Sequence, residues 1–228
     1  MNVIEESVLK LDVRLREVGF DRAFLGGAVL SLLVTDPMVD TVRVTKDVDV
    51  MMGVRTRKEF HALDATLERL GFTHDLREDA PICRWICDGI TVDVLPIREE
   101  VLGWNSRWFE EALANAVPIM CQGHPVKVVS APYFVALKLE AFEERGNRDF
   151  IASTDFEDVI CLFNGRESIV HEIAECDSLK AKLAGRFTSY LQSPDLKDAI
   201  EGFVQTESNP ELRFKQILDR FTAVSALS

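Results

Sequence analysis

The chain holds no CxxC pair, no HxxxH or His–Cys grouping, no GxSxG and no Walker-A loop. These gaps remove the usual zinc frameworks, the nucleophile-elbow hydrolases and the P-loop NTPases. The five cysteines, Cys83, Cys87, Cys121, Cys161 and Cys176, are odd in number. They read as reduced, mostly buried thiols rather than a disulfide set. The four histidines (His61, His74, His124, His171) are scattered. No segment approaches the roughly 20 apolar residues of a membrane span, and MNVIEESVLKLDVRL carries no apolar signal core. The expectation is a cytoplasmic protein without a membrane partner. Positive charge is also scarce: 26 basic against 38 acidic side chains give a net charge of -12. That disfavours generic adhesion to nucleic acid or anionic lipid.

What is present fits a globular protein of one large or two small domains, with 228 residues, 47% hydrophobic and 28% charged. There are no internal repeats or low-complexity tracts. Residues 1–20 predict an amphipathic helix, and RAFLGG a short strand ending in glycines. A short apolar helix follows over 28–34, then a strand with Asp47 and Asp49, then a helix over about 57–70 closed by Gly71. ICRWICDGITVDVLP and VPIMCQGHPVKVVS read as hairpins, the second with the weaker signal. Beyond Ser130 the strand signals stop and four to six helices are expected. The predicted class is α+β: a mixed β-sheet core with flanking helices over 1–130, followed by a C-terminal helical bundle over 131–228.

The chemistry begins with Asp47-Val48-Asp49. Alternate residues of a strand share a face, so the two carboxylates stand side by side and repel each other. A hard cation with oxygen ligands, such as Mg²⁺, would neutralise them. An Asx-rich turn with Lys46 as a salt-bridge partner explains the segment equally well. The Asp88-Gly89 turn supplies a third carboxylate. A two-residue turn there pairs Arg84 with Asp93 and puts Asp93 on the more polar face of its sheet. Alone, an Arg84–Asp93 ion pair is the simplest account. If the two strands are neighbours, Asp47, Asp49 and Asp93 converge on one patch.

Gly26-Gly27, then Arg43-x-Thr45-x-Asp47-x-Asp49, then TVDVLP, resembles the nucleotidyltransferase superfamily of the polymerase-β type. The spelling is most similar to the AbiEii/AbiGii-type nucleotidyltransferase toxins. The resemblance implies a nucleotidyltransferase-type core in which Gly26 and Gly27 let the backbone approach the phosphates of an NTP, with Arg43 and Thr45 beside them. It implies Asp47, Asp49 and Asp93 as ligands of Mg²⁺ or Mn²⁺, with Asp93 completing the metal site or taking the acceptor's proton.

The helix expected over SAPYFVALKLEAFEERG places Lys138 near the middle of its apolar arc and Arg145 beside it, with Glu140, Glu143 and Glu144 opposite. A buried ammonium needs an anion, either a structural carboxylate or a phosphate. The resemblance favours phosphate and adds Lys138 and Arg145 to the nucleotide-binding set. In NRDFIASTDFEDVICLFNGRE, Thr154 and Glu157 suggest a capping box. Phe156, Val159, Ile160 and Phe163 form the buried stripe, with Asp158 away from it. There Asp155 and Asp158 meet the helix dipole. The toxin-like relatives carry a similar DxxD in which one aspartate is active, although the insertion over 146–154 departs from their pattern. The match covers residues 20–165.

The resemblance therefore implies an Mg²⁺-dependent enzyme that moves an NMP from an NTP to a hydroxyl. The acceptor is RNA, tRNA or protein, as in toxins with a cognate antitoxin, or a small molecule, as in antibiotic-modifying enzymes. A regulatory module that binds nucleotide on the same fold without turnover is the alternative, and the intact aspartates speak against it.

Overall fold

In a computed structural model of the chain, residues 3–39, 45–103, 106–146 and 148–227 are described. The chain forms two compact units, Met1–Leu32 with Val44–Ser130, and Leu33–Arg43 with Ala131–Ser228. Each is described by itself.

The first unit is built on a mixed sheet of seven strands among the described residues. Helix α1 (Val3–Leu15) leads into β1 (Arg22–Leu25), and its Val8, Leu11 and Leu15 are fully buried. A 3-10 turn (Gly27–Val29) and the four-residue α2 (Leu30–Leu33) follow β1. The aspartate strand is β2 (Asp47–Met52), and α3 (Arg57–Arg69) begins at Thr56 with a full capping box to Glu59. A two-residue β3 (Thr73–His74) precedes the hairpin of β4 (Arg84–Cys87) and β5 (Ile90–Pro96). The short helices α4 (Glu99–Leu102) and α5 (Phe109–Ala114) lead to a second hairpin of β6 (Val117–Cys121) and β7 (His124–Val128). Its Gln122 and Gly123 both have positive φ, as do Asp88 and Gly89 in the first hairpin. That is the requirement of a type I′ turn, so both hairpins close by the same device.

The strand order is β3-β4-β5-β2-β1-β7-β6. β2 runs parallel to β5 and antiparallel to β1, and β1 runs parallel to β7. The expected register of the first hairpin holds at all four pairs, Arg84 with Asp93 through Cys87 with Ile90. Trp85, Cys87, Val92 and Val94 are buried on one face, as are Val48 and Val50 of β2. The polar side chains of these strands are left on the other.

The second unit carries six helices among the described residues: α6 (Ala131–Glu144), α7 (Thr154–Gly165), α8 (Ile169–Ala174), α9 (Lys180–Tyr190), α10 (Asp195–Val204) and α11 (Pro210–Ser225). α11 packs on α7, α8, α9 and α10. An aromatic cluster joins them: Phe163 and Phe221 meet edge to face at 4.7 Å, and Phe187 and Phe221 lie 4.8 Å apart. Phe142 and Phe156, on α6 and α7, are 4.9 Å apart. The stretch over 33–39 belongs here, because the N–H groups of Thr35 and Asp36 donate to the Gly165 carbonyl (2.8 and 2.9 Å) and Arg213 holds the Asp36 carboxylate at 2.6 Å. These bonds satisfy the open C-terminal end of α7. The sequence boundary at 130/131 does not separate this excursion.

α7 differs from expectation at its start. Ser153, not Thr154, is the N-cap, accepting from the Phe156 N–H at 3.3 Å. The helix is also buried over almost its whole circumference, with Asp155, Phe156 and every residue from Asp158 to Gly165 inside. No solvated face remains for Asp158 to occupy, and its carboxylate goes inward.

Candidate functional site

In the first unit, the parallel register sets Asp49 opposite Asp93 and Asp47 opposite Thr91, and the hairpin sets Asp93 opposite Arg84. Arg84, Asp93 and Asp49 thus form one row across β4, β5 and β2. Asp47 lies two residues before Asp49, on the same face. Asp93 is buried, while Asp47 and Asp49 are half-buried.

Arg84 neutralises part of this patch. Its Nε donates to Asp93 Oδ1 at 2.8 Å and its Nη2 to Asp93 Oδ2 at 2.7 Å, a two-pronged pair. The same Nη2 reaches Asp47 Oδ2 at 3.0 Å. The Thr45 hydroxyl donates to Asp47 Oδ1 at 3.0 Å. The cross-strand ion pair weighed from the sequence is therefore formed, and it coexists with the convergence of carboxylates. The Asp93 hydrogen bonds raise the Arg84 pKa further. Beneath the row, burial pushes the Cys83 thiol up to about 12, helped by the charges of Asp93 and Asp49. Cys83 is a packed, protonated thiol rather than a nucleophile.

Gly26 meets this patch from β1. Its φ of 71° and ψ of -167° fall in a region that only glycine adopts freely. A Cβ there would lie 1.9 Å from Asp49 Oδ2. Gly27 opens the 3-10 turn without a positive φ. Arg43 lies outside the described residues, as does Trp104. Arg107 sits 5.2 Å from the ring of the buried Trp108, the N-cap of the short α5.

The donor set is oxygen only, which suits a hard cation, and Asp47 and Asp49 share a face. Asp93 has both oxygens on Arg84, and Asp47 has one on Arg84 and one on the Thr45 hydroxyl. Among the described residues no three His, Cys, Asp or Glu side chains gather as a ready metal set. Asp47 and Asp49 fit a cation as a pair; a third carboxylate arm is not in place.

The other residues that the sequence resemblance singles out, Lys138, Arg145, Asp155 and Asp158, lie in the second unit. Lys138 is 9% exposed, and its Nζ lies 3.0 Å from Asp155 Oδ1 and 2.6 Å from Asp158 Oδ2. The i and i+3 spacing of those aspartates puts both on the side of α7 that meets α6. Burial alone would lower the Lys138 pKa, but Asp158 and Asp155 outweigh it and raise it. Burial would likewise raise Asp155, yet Lys138 and Arg145 hold it below the usual carboxylate value. Arg145 does not point inward as expected: its side chain is 74% exposed, with Nε 3.1 Å from Asp155 Oδ2. On the face opposite Lys138, Glu143 accepts from Tyr190 Oη at 2.5 Å and from Arg186 Nη2 at 2.8 Å. No helix among the described residues is long and apolar enough to cross a membrane.

No family model matches the chain, and no curated protein matches it either. Among solved structures, it is similar to an antigenic nucleotidyltransferase-like protein from Paracoccidioides brasiliensis. That match has 21% identity over 93% of this chain and 92% of the other, with a TM-score of 0.51. It also aligns with the antibiotic-resistance factor ANT(2'')-Ia in solution (16% identity, 71% of this chain and 84% of that one, TM-score 0.48). A crystal structure of ANT(2'')-Ia with adenylyl-2''-tobramycin aligns too (16% identity, 64% and 80%, TM-score 0.42). The fold of this chain is that of a nucleotidyltransferase-like protein.

Proposed function

We propose that the protein transfers a nucleotidyl group from an NTP to a hydroxyl acceptor. The observation that carries this reading is the row in which Asp49 stands opposite Asp93, with Asp47 on the same face and Gly26 against Asp49. Three carboxylates on adjacent strands, beside a turn that only glycine can make, are supported as a reaction centre by the nucleotidyltransferase-like fold that carries them. The acceptor hydroxyl attacks the α-phosphorus in line, the bond to the β-phosphate oxygen breaks, and pyrophosphate leaves. The hydroxyl proton passes to a carboxylate of the site. Asp47 and Asp49 would hold Mg²⁺ or Mn²⁺, which when bound neutralises the triphosphate.

The toxin-like branch adds Lys138, Arg145, Asp155 and Asp158 to the site, and Arg43, Thr45, Gly26 and Gly27 to the nucleotide's contacts. The support for the four residues of the helical unit is the resemblance. In the fold each of those charges already has a partner, so a phosphate role for Lys138 requires exchange of a carboxylate for a phosphate. A cognate antitoxin belongs to the same branch of the proposal. The net charge of -12 favours a protein or small-molecule acceptor over a long RNA.

The test is incubation with each α-labelled NTP, Mg²⁺ and, in separate arms, total RNA, lysate protein and small hydroxyl compounds. Label appearing in one acceptor class supports transfer and names the class. NTP binding without label transfer or pyrophosphate release in any arm would leave the non-catalytic module as the reading.

A further inference from the structure

We infer that Arg84 is the resident counter-ion of the site, and that a divalent cation completes its carboxylate set by taking Asp93 and Asp47 from this guanidinium. The inference rests on the transfer reading above and deepens it.

One guanidinium serves two of the three carboxylates. It grips Asp93 at 2.8 and 2.7 Å and Asp47 at 3.0 Å. The geometry is dictated by the sheet, since Arg84 is the direct cross-strand partner of Asp93 and the β2–β5 register brings Asp47 within reach of the same arm. Its side chain is 22% exposed and that of Asp93 12%, so the pair is partly desolvated and cannot be dismissed as a surface contact. A cation and a guanidinium cannot both hold the same carboxylate oxygens at bonding distance without repelling each other. The positive charge that balances Asp93 and Asp47 is therefore the charge a metal must replace.

Arg84 sits on β4, next to the two-residue β3, and its carbonyl accepts the Asp75 N–H at 3.2 Å. Arg84 is a positioning residue on this account: it keeps Asp47 and Asp93 in place and sets how much cation the site requires.

The test is Mn²⁺ binding to the full chain without nucleotide, followed by the paramagnetic signal of free Mn²⁺ and by calorimetry. Arg84→Met is expected to bind Mn²⁺ at least tenfold more tightly than the wild type. In metal-free buffer it should melt at a lower temperature, a loss that added Mn²⁺ reverses. Arg84→Lys, which keeps the charge but not the fork, should fall between and remains informative if Arg84→Met folds poorly. Adding Asp49→Asn to either variant should abolish the gain. Equal or weaker Mn²⁺ affinity in both Arg84 variants overturns the inference. A wild type that transfers label while its Mn²⁺ affinity ignores residue 84 sinks this inference and leaves the transfer reading standing. A tenfold gain in a protein that never transfers label does the reverse.

Discussion

A Cβ built on Gly26 would lie 1.9 Å from the Oδ2 of Asp49. The absence of a side chain at one residue therefore makes room for the carboxylate of another. Gly26→Ala is expected to cost about 1–3 kcal/mol from backbone strain alone, because alanine rarely adopts that φ and ψ. The steric part depends on Asp49. In a double-mutant cycle, Gly26→Ala should be milder in an Asp49→Gly background, with a coupling of roughly 0.5–3 kcal/mol by denaturant unfolding. Strict additivity would show that the two residues do not meet in solution.

The two paired aspartates should respond differently to neutralisation. Asp49→Asn removes one charge from a crowded patch and relieves repulsion among its carboxylates. Asp47→Asn loses its charge opposite Arg84 while an amide oxygen can still accept from Thr45, and at 35% exposure the loss should stay under about 1 kcal/mol. Both should abolish transfer. Melting temperature and label transfer, measured on the same preparations, separate a reacting carboxylate from a structural one. Loss of fold in both variants would contradict the reaction-centre reading.

Lys138 supports the sharpest stability prediction. Lys138→Met leaves Asp155 and Asp158 buried without their ammonium and should destabilise by about 3–5 kcal/mol at pH 7. That penalty should shrink as pH falls into the acid range, because protonation of Asp155 removes a charge that Lys138 no longer offsets. A penalty independent of pH in urea titrations would mean that the carboxylates find other partners.

The wild type carries the opposite signature. Asp155 has its folded pKa lowered, so its contribution is fully present above the unfolded value of about 3.9 and is lost as pH falls through the folded one. Lys138 has its folded pKa raised, so its contribution is present below about 10.4 and is lost as pH rises through the folded value. The helical unit should hold a stability plateau between those limits. Arg145→Ala, with a side chain 74% exposed, should move the acid limb slightly and cost under about 1 kcal/mol.

Much of the sheet was legible because local rules decide it. Asp88-Gly89 fixes the register of its hairpin, so the Arg84–Asp93 pairing follows from a two-residue turn. That β2 lies against β5 is a parallel pairing across some forty residues, and no turn encodes it; only the shared carboxylate pattern hinted at it. Arg84's reach to Asp47 depends on that adjacency, which the sequence does not encode. The sequence does not separate Ser153 from Thr154 as the start of α7, because both are competent caps. The inward turn of Asp158 leaves no sequence signature either, because a helix buried nearly all round has no amphipathic period to betray its inner face. The 33–39 excursion joins the helical unit through backbone N–H groups on Gly165, a bond that carries no side-chain signature.

If the carboxylate row is the reaction centre, nucleotidyl transfer depends on Asp49. The most direct measurement is pyrophosphate release and acceptor labelling from α-labelled NTP, run in parallel on the wild type and on folded Asp49→Asn. Mg²⁺-dependent label and pyrophosphate in equal amounts from the wild type, falling at least a hundredfold in Asp49→Asn, is the expected result, a barrier rise of about 2.7 kcal/mol. Equal transfer by both proteins, or pyrophosphate from neither with any NTP and any acceptor class, would contradict it.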